Sequence, residues 1–274
     1  MSKTRRVRLL AVDVDGTLLT DACQISPATS RVVQHVIQRG VQVVLASARG
    51  PSALRGIMKE LGMSSLAVCY TGALTCRISS HPPLEVITEQ RIPLPSAHGI
   101  LRRALNEEIS VGWFAGEAWF IPGWDAIVQR ESEMVGVVPL LDPDLLQRGE
   151  APHKLQCIVG EPARLPLLAA LARTLPQDCV GQFSQATYLE ITHQQVNKAT
   201  ALQALGQQLG ITPSEMVAIG DMENDVAMLR LAALGIAMGN APLHVQAEAD
   251  WVTDTNNQDG VAAAIEKLYA TGWI

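Results

Sequence analysis

The chain has 274 residues, which is long for one hydrophobic core and natural for a core plus a second domain, because single cores stop growing at roughly 250 to 300 residues. Its 48% hydrophobic and 18% charged residues exclude a largely disordered chain. The net charge of −6 argues against nucleic acid and anionic membranes as partners, since both attract clustered Lys and Arg.

Cysteine usage and the length of the apolar runs indicate where the protein works. The five cysteines form no CxxC pair and are odd in number, as expected of reduced thiols rather than a disulfide framework or a metal site. No apolar run approaches the roughly 18 residues that span a bilayer. We therefore expect a cytoplasmic protein.

The first part of the chain alternates strand and helix patterns. In chain order it predicts a strand at 7–12, a helix that begins at Pro27 after the N-cap Ser26 and ends at Gly40, a strand at 41–46, a helix at 51–61 and a strand at 66–70. The run at 41–46 is almost wholly apolar, which is typical of a strand buried on both faces of a parallel sheet. This βαβαβ order predicts right-handed crossovers and helices on both faces of the sheet.

The middle of the chain interrupts this order and the end resumes it. The middle predicts a hairpin of 111–114 and 118–121, a strand at 155–159 and a helix at 165–175; the end predicts a helix at 198–209, a strand at 217–219, a short helix from Asn224, a strand near Ile236 and a helix at 260–270. We expect an α/β fold: a Rossmann-like three-layer core with a parallel sheet, formed by 1–80 and 188–274, and an α+β domain inserted at 81–187.

Two carboxylates directly follow the first predicted strand, in the stretch Asp13-Val14-Asp15-Gly16-Thr17. Alternation along an extended backbone puts Asp13 and Asp15 on the same side, where at roughly 4 Å they repel by about 4 kcal/mol at an effective dielectric near 20. A cation must therefore lie between them. Gly16 allows a sharp turn and Thr17 adds a hydroxyl and an amide, so the stretch predicts a site for a divalent cation and a phosphate.

Three further groups follow predicted strands or open predicted helices, where open α/β sheets bind ligands. Ser47-Ala48-Arg49 offers a hydroxyl and helix-start amides to phosphate oxygens, and Lys198 offers a point charge. In the stretch GDMEND at 220–225, Asp221 is the natural second carboxylate for a hard cation. Taken singly, these residues have ordinary interpretations as loop acids, a helix cap, a surface lysine and first-turn acids, but their joint occurrence argues against them.

With these motifs in this order, the chain resembles the haloacid dehalogenase-like (HAD) phosphatases of the Cof type, which carry a large cap between the second and third motifs. The resemblance is carried by DVDGT at 13–17, Ser47, Lys198 and GDMEND at 220–225. It implies a HAD-like fold in which the insert at 81–187 is a cap domain that determines substrate specificity.

The resemblance also implies a mechanism. Asp13 would attack phosphorus and form an aspartyl-phosphate, while Asp15 would protonate the leaving group and then deprotonate the hydrolytic water. Mg²⁺ would be held by Asp13, by the backbone carbonyl of Asp15 and by Asp221. Asp13, Asp15 and the metal would thus lie together at the centre of the site.

The remaining site residues would bind the substrate: Ser47, Arg49, Thr71, Gly72, Lys198 and Asn224. Ser47 and Lys198 would also be catalytic, because they would bind the transferring oxygens. Asp225 would lie behind them and orient Lys198 or a metal-bound water. Ser47 and Ala48 stand where the family usually has Thr and Gly, and Thr71 stands where Asn is usual. We therefore expect the geometry of these two loops to differ from the family pattern.

The implied function is Mg²⁺-dependent hydrolysis of a small soluble phosphate monoester by a monomer or weak homodimer. Sugar phosphates come first as substrates, followed by phosphorylated cofactors such as pyridoxal phosphate or FMN. A phosphotransferase or mutase is an alternative, because the aspartyl-phosphate could be passed to a sugar hydroxyl. A phospho-accepting receiver module is disfavoured by Asp15 and the large insert. A dehalogenase would not need a proton donor at Asp15, and an inactive scaffold would not need all four motifs.

Overall fold

A computed structural model describes residues 6–79 and 84–274. Its strands are β1 (Leu9–Val12), β2 (Gln42–Ala46), β3 (Ser65–Cys69), β4 (Leu74–Ile78), β5 (Glu85–Glu89), β6 (Ser110–Ala115), β7 (Ala118–Ile121), β8 (Leu140–Leu141), β9 (Lys154–Ile158), β10 (Cys179–Gln185), β11 (Tyr188–His193), β12 (Met216–Gly220), β13 (Leu234–Ala237) and β14 (Trp251–Val252). Its helices are α1 (Pro27–Gln38), α2 (Pro51–Glu60), α3 (Leu94–Asn106), α4 (Ala126–Val135), α5 (Leu165–Arg173), α6 (Lys198–Leu209), α7 (Val226–Leu231), α8 (Leu243–Gln246) and α9 (Gly260–Ala270). No helix in the described ranges is long and apolar enough to cross a bilayer.

The first compact unit is built on an eight-stranded sheet and comprises the described residues of Met1–Arg49, Arg55–Thr88 and Asn197–Ile274. The strand order is β14-β13-β12-β1-β2-β3-β4-β5. The strands from β14 to β3 run parallel, and β4 turns back antiparallel to β3. Strands β2 to β5 follow one another on one side of β1, and strands β12 to β14 follow one another on its other side. This reversal of strand order beside β1 is the place where such sheets bind ligands.

Both faces of this sheet are covered, which confirms the α/β prediction. Leu9 and Ala11 of β1 pack in one core cluster with Leu205 of α6 and other residues of α6 and α7. The alternate side chains Leu10 and Val12 are also fully buried. A parallel strand buried on both faces has no polar face, which explains the continuous apolar runs in the sequence.

The second unit, Gly50–Leu54 and Glu89–Val196, contains a six-stranded sheet in the order β10-β11-β9-β6-β7-β8. Its pairs are antiparallel except β7 with β8. Trp113 of β6 and Leu155 of β9 form a core with Leu101 of α3 and Leu168 of α5. The predicted hairpin is β6–β7, and the unit has the α+β architecture that was expected of the insert.

The unit boundaries differ from the predicted 81–187. The predicted start at residue 81 lies outside the described residues, and the second unit begins at Glu89. It ends at Val196 rather than 187, because β11 pairs with both β10 and β9 and so completes the second sheet. A strand pattern alone does not tell which sheet the strand will join.

His153 is a buried histidine of the second unit whose hydrogen bonds fix one neutral tautomer. Its Nδ1 accepts a hydrogen bond from the Gly116 backbone N–H at 3.1 Å, so the proton lies on Nε2, which is 3.0 Å from Glu89 Oε2. Burial, with a smaller contribution from Arg91, lowers the pKa of His153 from 6.5 to about 4, against the opposing pull of Glu89.

We expect His153 to contribute a fall in the free energy of unfolding as the pH is lowered from 7 to 5. The folded pKa of His153 lies below the unfolded value near 6.5, so the unfolded chain binds more protons in this window, at a cost of about 2 kcal/mol. Urea unfolding at pH 7 and pH 5 measures the difference. His153→Gln, which does not titrate, should lose this part of the pH dependence; equal dependence in both proteins would contradict the assignment.

Candidate active site

The predicted motif residues meet at the carboxyl ends of three neighbouring strands of the first unit. Asp13 follows β1, Ser47 follows β2 and Asp221 follows β12. The backbone N–H of Asp13 still bonds to the Ile219 carbonyl at 2.9 Å, so the sheet holds this residue in place. Lys198 is the first residue of α6.

Lys198 is fully buried and bridges two carboxylates. Its Nζ lies 2.5 Å from Asp13 Oδ1 and 2.7 Å from Asp225 Oδ1. The other oxygen of Asp225, Oδ2, accepts hydrogen bonds from the backbone N–H groups of Asp221 and Met222, both at 3.0 Å. The interpretation of Lys198 as a surface lysine is therefore excluded. Asp225 orients the ammonium group and anchors the loop that carries Asp221.

Asp221 is held against the turn that follows β1. Its Oδ1 accepts a hydrogen bond from Thr17 Oγ1 at 2.8 Å, and its Oδ2 lies 3.4 Å from Asn240 Nδ2. Gly16 has a φ of +78°, and a Cβ at this position would overlap Asp221 Oδ2. Only glycine accommodates both the conformation and the close approach. Asn240 was missed from the sequence; the available signal was a Gly-Asn turn after the strand predicted near Ile236.

The acidic group carries more negative charge than its lysine compensates. Asp13, Asp221 and Asp225 are buried and present oxygens that all lie within 4.8 Å of one another. Burial, together with the charge of Asp225, raises the pKa of Asp13 well above its usual value and that of Asp221 to about 6. Burial alone would lower the pKa of Lys198, but Asp13 and Asp225 outweigh it and raise that pKa.

This donor set fits a hard divalent cation. Such cations prefer carboxylate and carbonyl oxygens, and three buried carboxylates against one ammonium leave a negative charge for the cation to balance. Both Asp225 oxygens are already committed to Lys198 and to backbone N–H groups. The carboxylates that remain for a cation are those of Asp13 and Asp221.

Asp15 differs from the expectation that a cation would lie between its carboxylate and that of Asp13. Its side chain is 54% exposed and forms a bidentate pair with Arg49, with Nε to Oδ2 at 2.9 Å and Nη2 to Oδ1 at 2.6 Å. β1 ends at Val12, so strand alternation does not extend to Asp15. Each carboxylate has its own cationic partner, Lys198 for Asp13 and Arg49 for Asp15.

The Ser47 turn is regular despite its departure from the family pattern. Ser47 is buried, and its Oγ accepts a hydrogen bond from the Arg49 backbone N–H at 3.0 Å, which leaves the hydroxyl proton for another acceptor. Ala48 is not among the described non-glycine residues with positive φ. Alanine in place of glycine therefore adds no backbone strain here.

Thr71 is strained, in contrast to Ala48. It has φ 58° and ψ 18°, in the left-handed region that β-branched residues avoid and asparagine tolerates. Its backbone N–H bonds to the Ser47 carbonyl at 3.0 Å, and a Cβ at the next residue, Gly72, would overlap the Asn197 carbonyl. This loop is thus fixed between the Ser47 turn and the start of α6. Asn224 lies half-buried in the 3₁₀ turn Glu223–Asp225, and its contact with phosphate stays a prediction.

Thr71→Asn should stabilise the protein by about 1 kcal/mol, because asparagine populates the left-handed region at lower cost than a β-branched residue. Urea unfolding of the parent and the variant measures the difference. Thr71→Val is the matched control, since it keeps the branched Cβ and should bring no gain. A Thr71→Asn protein no more stable than the parent would show that the backbone at this position is not strained.

A family model described as "haloacid dehalogenase-like hydrolase" matches residues 10–265. The chain belongs to this family. HMP-PP phosphatase of Cronobacter sakazakii is 30% identical over 242 residues, covering 88% of this chain and 87% of the relative. The 5-amino-6-(5-phospho-D-ribitylamino)uracil phosphatase of Bacillus subtilis is 29% identical over 260 residues, or 94% of each chain. A haloacid dehalogenase-like hydrolase from Bacteroides thetaiotaomicron superimposes with a TM-score of 0.87 at 28% identity, over 96% of this chain and 100% of that one.

These relatives confirm the resemblance to HAD phosphatases and the expected fold. The protein is an enzyme, a phosphatase of the HAD family. The receiver-type alternative is excluded by the family.

Proposed function

We propose that the protein is a Mg²⁺-dependent phosphatase that hydrolyses a phosphate monoester of a sugar or sugar alcohol through an aspartyl-phosphate on Asp13. The observation that carries the proposal is the buried bridge from Lys198 to Asp13 and Asp225, with Asp221 beside it. The name of the B. subtilis relative specifies a phosphorylated ribityl group, which supports a sugar-alcohol phosphate as the substrate class.

Asp13 is suited to attack because it is oriented and partly desolvated. Its Oδ1 is held by Lys198, which leaves Oδ2 to form the new bond to phosphorus. As that bond forms, the bond from phosphorus to the leaving oxygen breaks. Water then attacks the aspartyl-phosphate, the bond between Asp13 and phosphorus breaks, and inorganic phosphate leaves. A carboxylate nucleophile thus divides one difficult hydrolysis into two steps.

Asp15 would move the proton in both steps. It would give a proton to the leaving oxygen and later take one from the attacking water, which returns it to its starting state. Because both of its oxygens accept hydrogen bonds from Arg49, Asp15 must exchange this partner before it can act on a substrate. The phosphate of the substrate is a suitable new partner for Arg49, since guanidinium binds phosphate in the same bidentate manner.

The other loops would hold the transferring oxygens. The Ser47 hydroxyl and the Lys198 ammonium would donate to these oxygens, while Thr71, Gly72 and Asn224 would line the phosphate position. Mg²⁺ would be held by Asp13, Asp221 and the Asp15 carbonyl, and it would offset the charge of the phosphate oxygens. The second unit would act as the cap that selects the leaving group.

Asp13→Asn should lower turnover by roughly 10⁴-fold or more, because it keeps the shape of the side chain but removes the nucleophile. Phosphate release from ribitol 5-phosphate and glucose 6-phosphate, with Mg²⁺ and after chelation, measures the effect. Asp259→Asn is a matched control, because asparagine tolerates the φ of 59° at that half-buried position. Turnover that survives in Asp13→Asn, or that is indifferent to chelation, would contradict the mechanism.

Asp15→Ala should affect the first step according to the leaving group. Sugar phosphates expel a basic alkoxide and should lose about 10²- to 10⁴-fold in rate, whereas p-nitrophenyl phosphate needs no proton donor. Rapid-quench kinetics should therefore show a burst of p-nitrophenol in this variant, followed by slow hydrolysis of the aspartyl-phosphate. A variant that hydrolyses sugar phosphates as fast as the parent would refute the assignment of Asp15.

A further inference from the structure

Asn240 lies on the loop after β13, outside the four motifs, yet its side-chain amide joins three loops. Its Nδ2 donates to the Gly16 carbonyl at 2.8 Å and lies 3.4 Å from Asp221 Oδ2. Its Oδ1 accepts a hydrogen bond from the Asn256 backbone N–H at 2.9 Å. The amide therefore contacts the turn after β1, the loop after β12 and the loop after β14.

The partners fix the orientation of this amide. Both groups near Nδ2 are acceptors, and the group near Oδ1 is a backbone donor. In a flipped amide the oxygen would face two acceptors and the NH₂ group would face a donor. The orientation also places an NH₂ group between two oxygens that would otherwise repel each other. Asp221 Oδ2 approaches the Gly16 backbone so closely that a Cβ there would overlap it. Asn240 makes this approach favourable.

Asn240 completes the restraint on the Asp221 carboxylate. Thr17 Oγ1 bonds to Oδ1 of this carboxylate, and Asn240 lies beside Oδ2, so each oxygen is approached by a donor from a different loop. Behind Asn240, the Asn256 side chain donates to the Leu19 carbonyl at 3.0 Å and thereby holds the far end of the turn after β1. The carboxylate and the turn that carries Asp13 are thus held in one arrangement.

A purely structural role does not account for these contacts. The Asn240 side chain is exposed, so water could satisfy its partners if it were removed. Water would not, however, fix the orientation of the Asp221 carboxylate relative to the turn after β1. Groups that orient a metal ligand without touching the metal commonly tune its affinity.

We propose that Asn240 is a positioning residue for the divalent cation: it holds the Asp221 carboxylate against the Gly16 carbonyl, so that the ligands are arranged before the cation binds. The inference rests on the proposed function, because it requires that Asp13 and Asp221 bind Mg²⁺. It adds a residue from a loop that none of the four motifs contains.

The test is the Mg²⁺ affinity of the metal-free full-length protein, measured by isothermal titration calorimetry. Asn240→Ala and Asn240→Ser should bind Mg²⁺ about 10- to 100-fold more weakly than the parent. Phosphate release should need correspondingly more Mg²⁺ for half-maximal rate, while kcat at saturating Mg²⁺ stays close to that of the parent. Asn106→Ala, an exposed asparagine at the end of α3 in the second unit, should leave the affinity unchanged.

Each other outcome overturns the proposal in a recognisable way. Unchanged Mg²⁺ affinity in both variants would show that Asn240 does not position the site, while the proposed function would stand. Failure of both variants to fold, judged by circular dichroism and urea unfolding, would mark Asn240 as a structural residue. A parent protein that binds no Mg²⁺ would remove the proposed function and this inference together.

Discussion

The buried ammonium of Lys198 is the constraint on which the rest of the site depends. Burying a charge costs several kcal/mol unless it is paired, and here Asp13 and Asp225 provide the pairs. These residues come from the end of β1, the start of α6 and the loop after β12. The three elements can therefore take few positions other than the observed one without leaving a buried charge unpaired. Removal of one partner from such a pair typically costs about 3–5 kcal/mol.

The same cluster sacrifices some stability for its chemistry. One ammonium does not balance three carboxylates, and burial together with the charge of Asp225 raises the pKa values of Asp13 and Asp221. A core built only for stability would not hold this excess. Enzymes commonly keep such destabilising groups where a ligand will balance them. The glycine at position 16 serves the same purpose, because it permits a carboxylate to press against the backbone.

Much of the fold could be predicted from the sequence, because its strongest patterns have local causes. β1 and β2 are buried on both faces and read as apolar runs, and α1 is marked by Ser26, Pro27 and Gly40 at its ends. The motif residues were predictable because they directly follow such strands. Harder to predict were features that depend on distant segments. β11 joins the second sheet through partners that its own pattern does not specify.

The contacts of single side chains were the least predictable part of the site. Arg49 was an expected phosphate ligand, but its pairing with Asp15 depends on how the chain turns after β1 ends. Asn240 carries no charge and is marked in the sequence only by the Gly-Asn turn to which it belongs. The strain at Thr71 was signalled only by an unusual residue in a familiar loop. Such features depend on contacts between loops that are distant in the sequence, and the sequence of each loop alone does not specify them.

The discontinuity of the first unit has a consequence for how the protein is made. During synthesis β1 leaves the ribosome long before α6, because Glu89–Val196 intervenes between them. At translation rates of roughly 5–20 residues per second, that segment takes on the order of 5–20 s to emerge. Until then the first strands lack β12 on one edge, and Asp13 lacks its lysine. The growing chain must therefore keep an apolar half-sheet from associating with other chains during this interval, and this requirement bears on the soluble yield of the enzyme in cells.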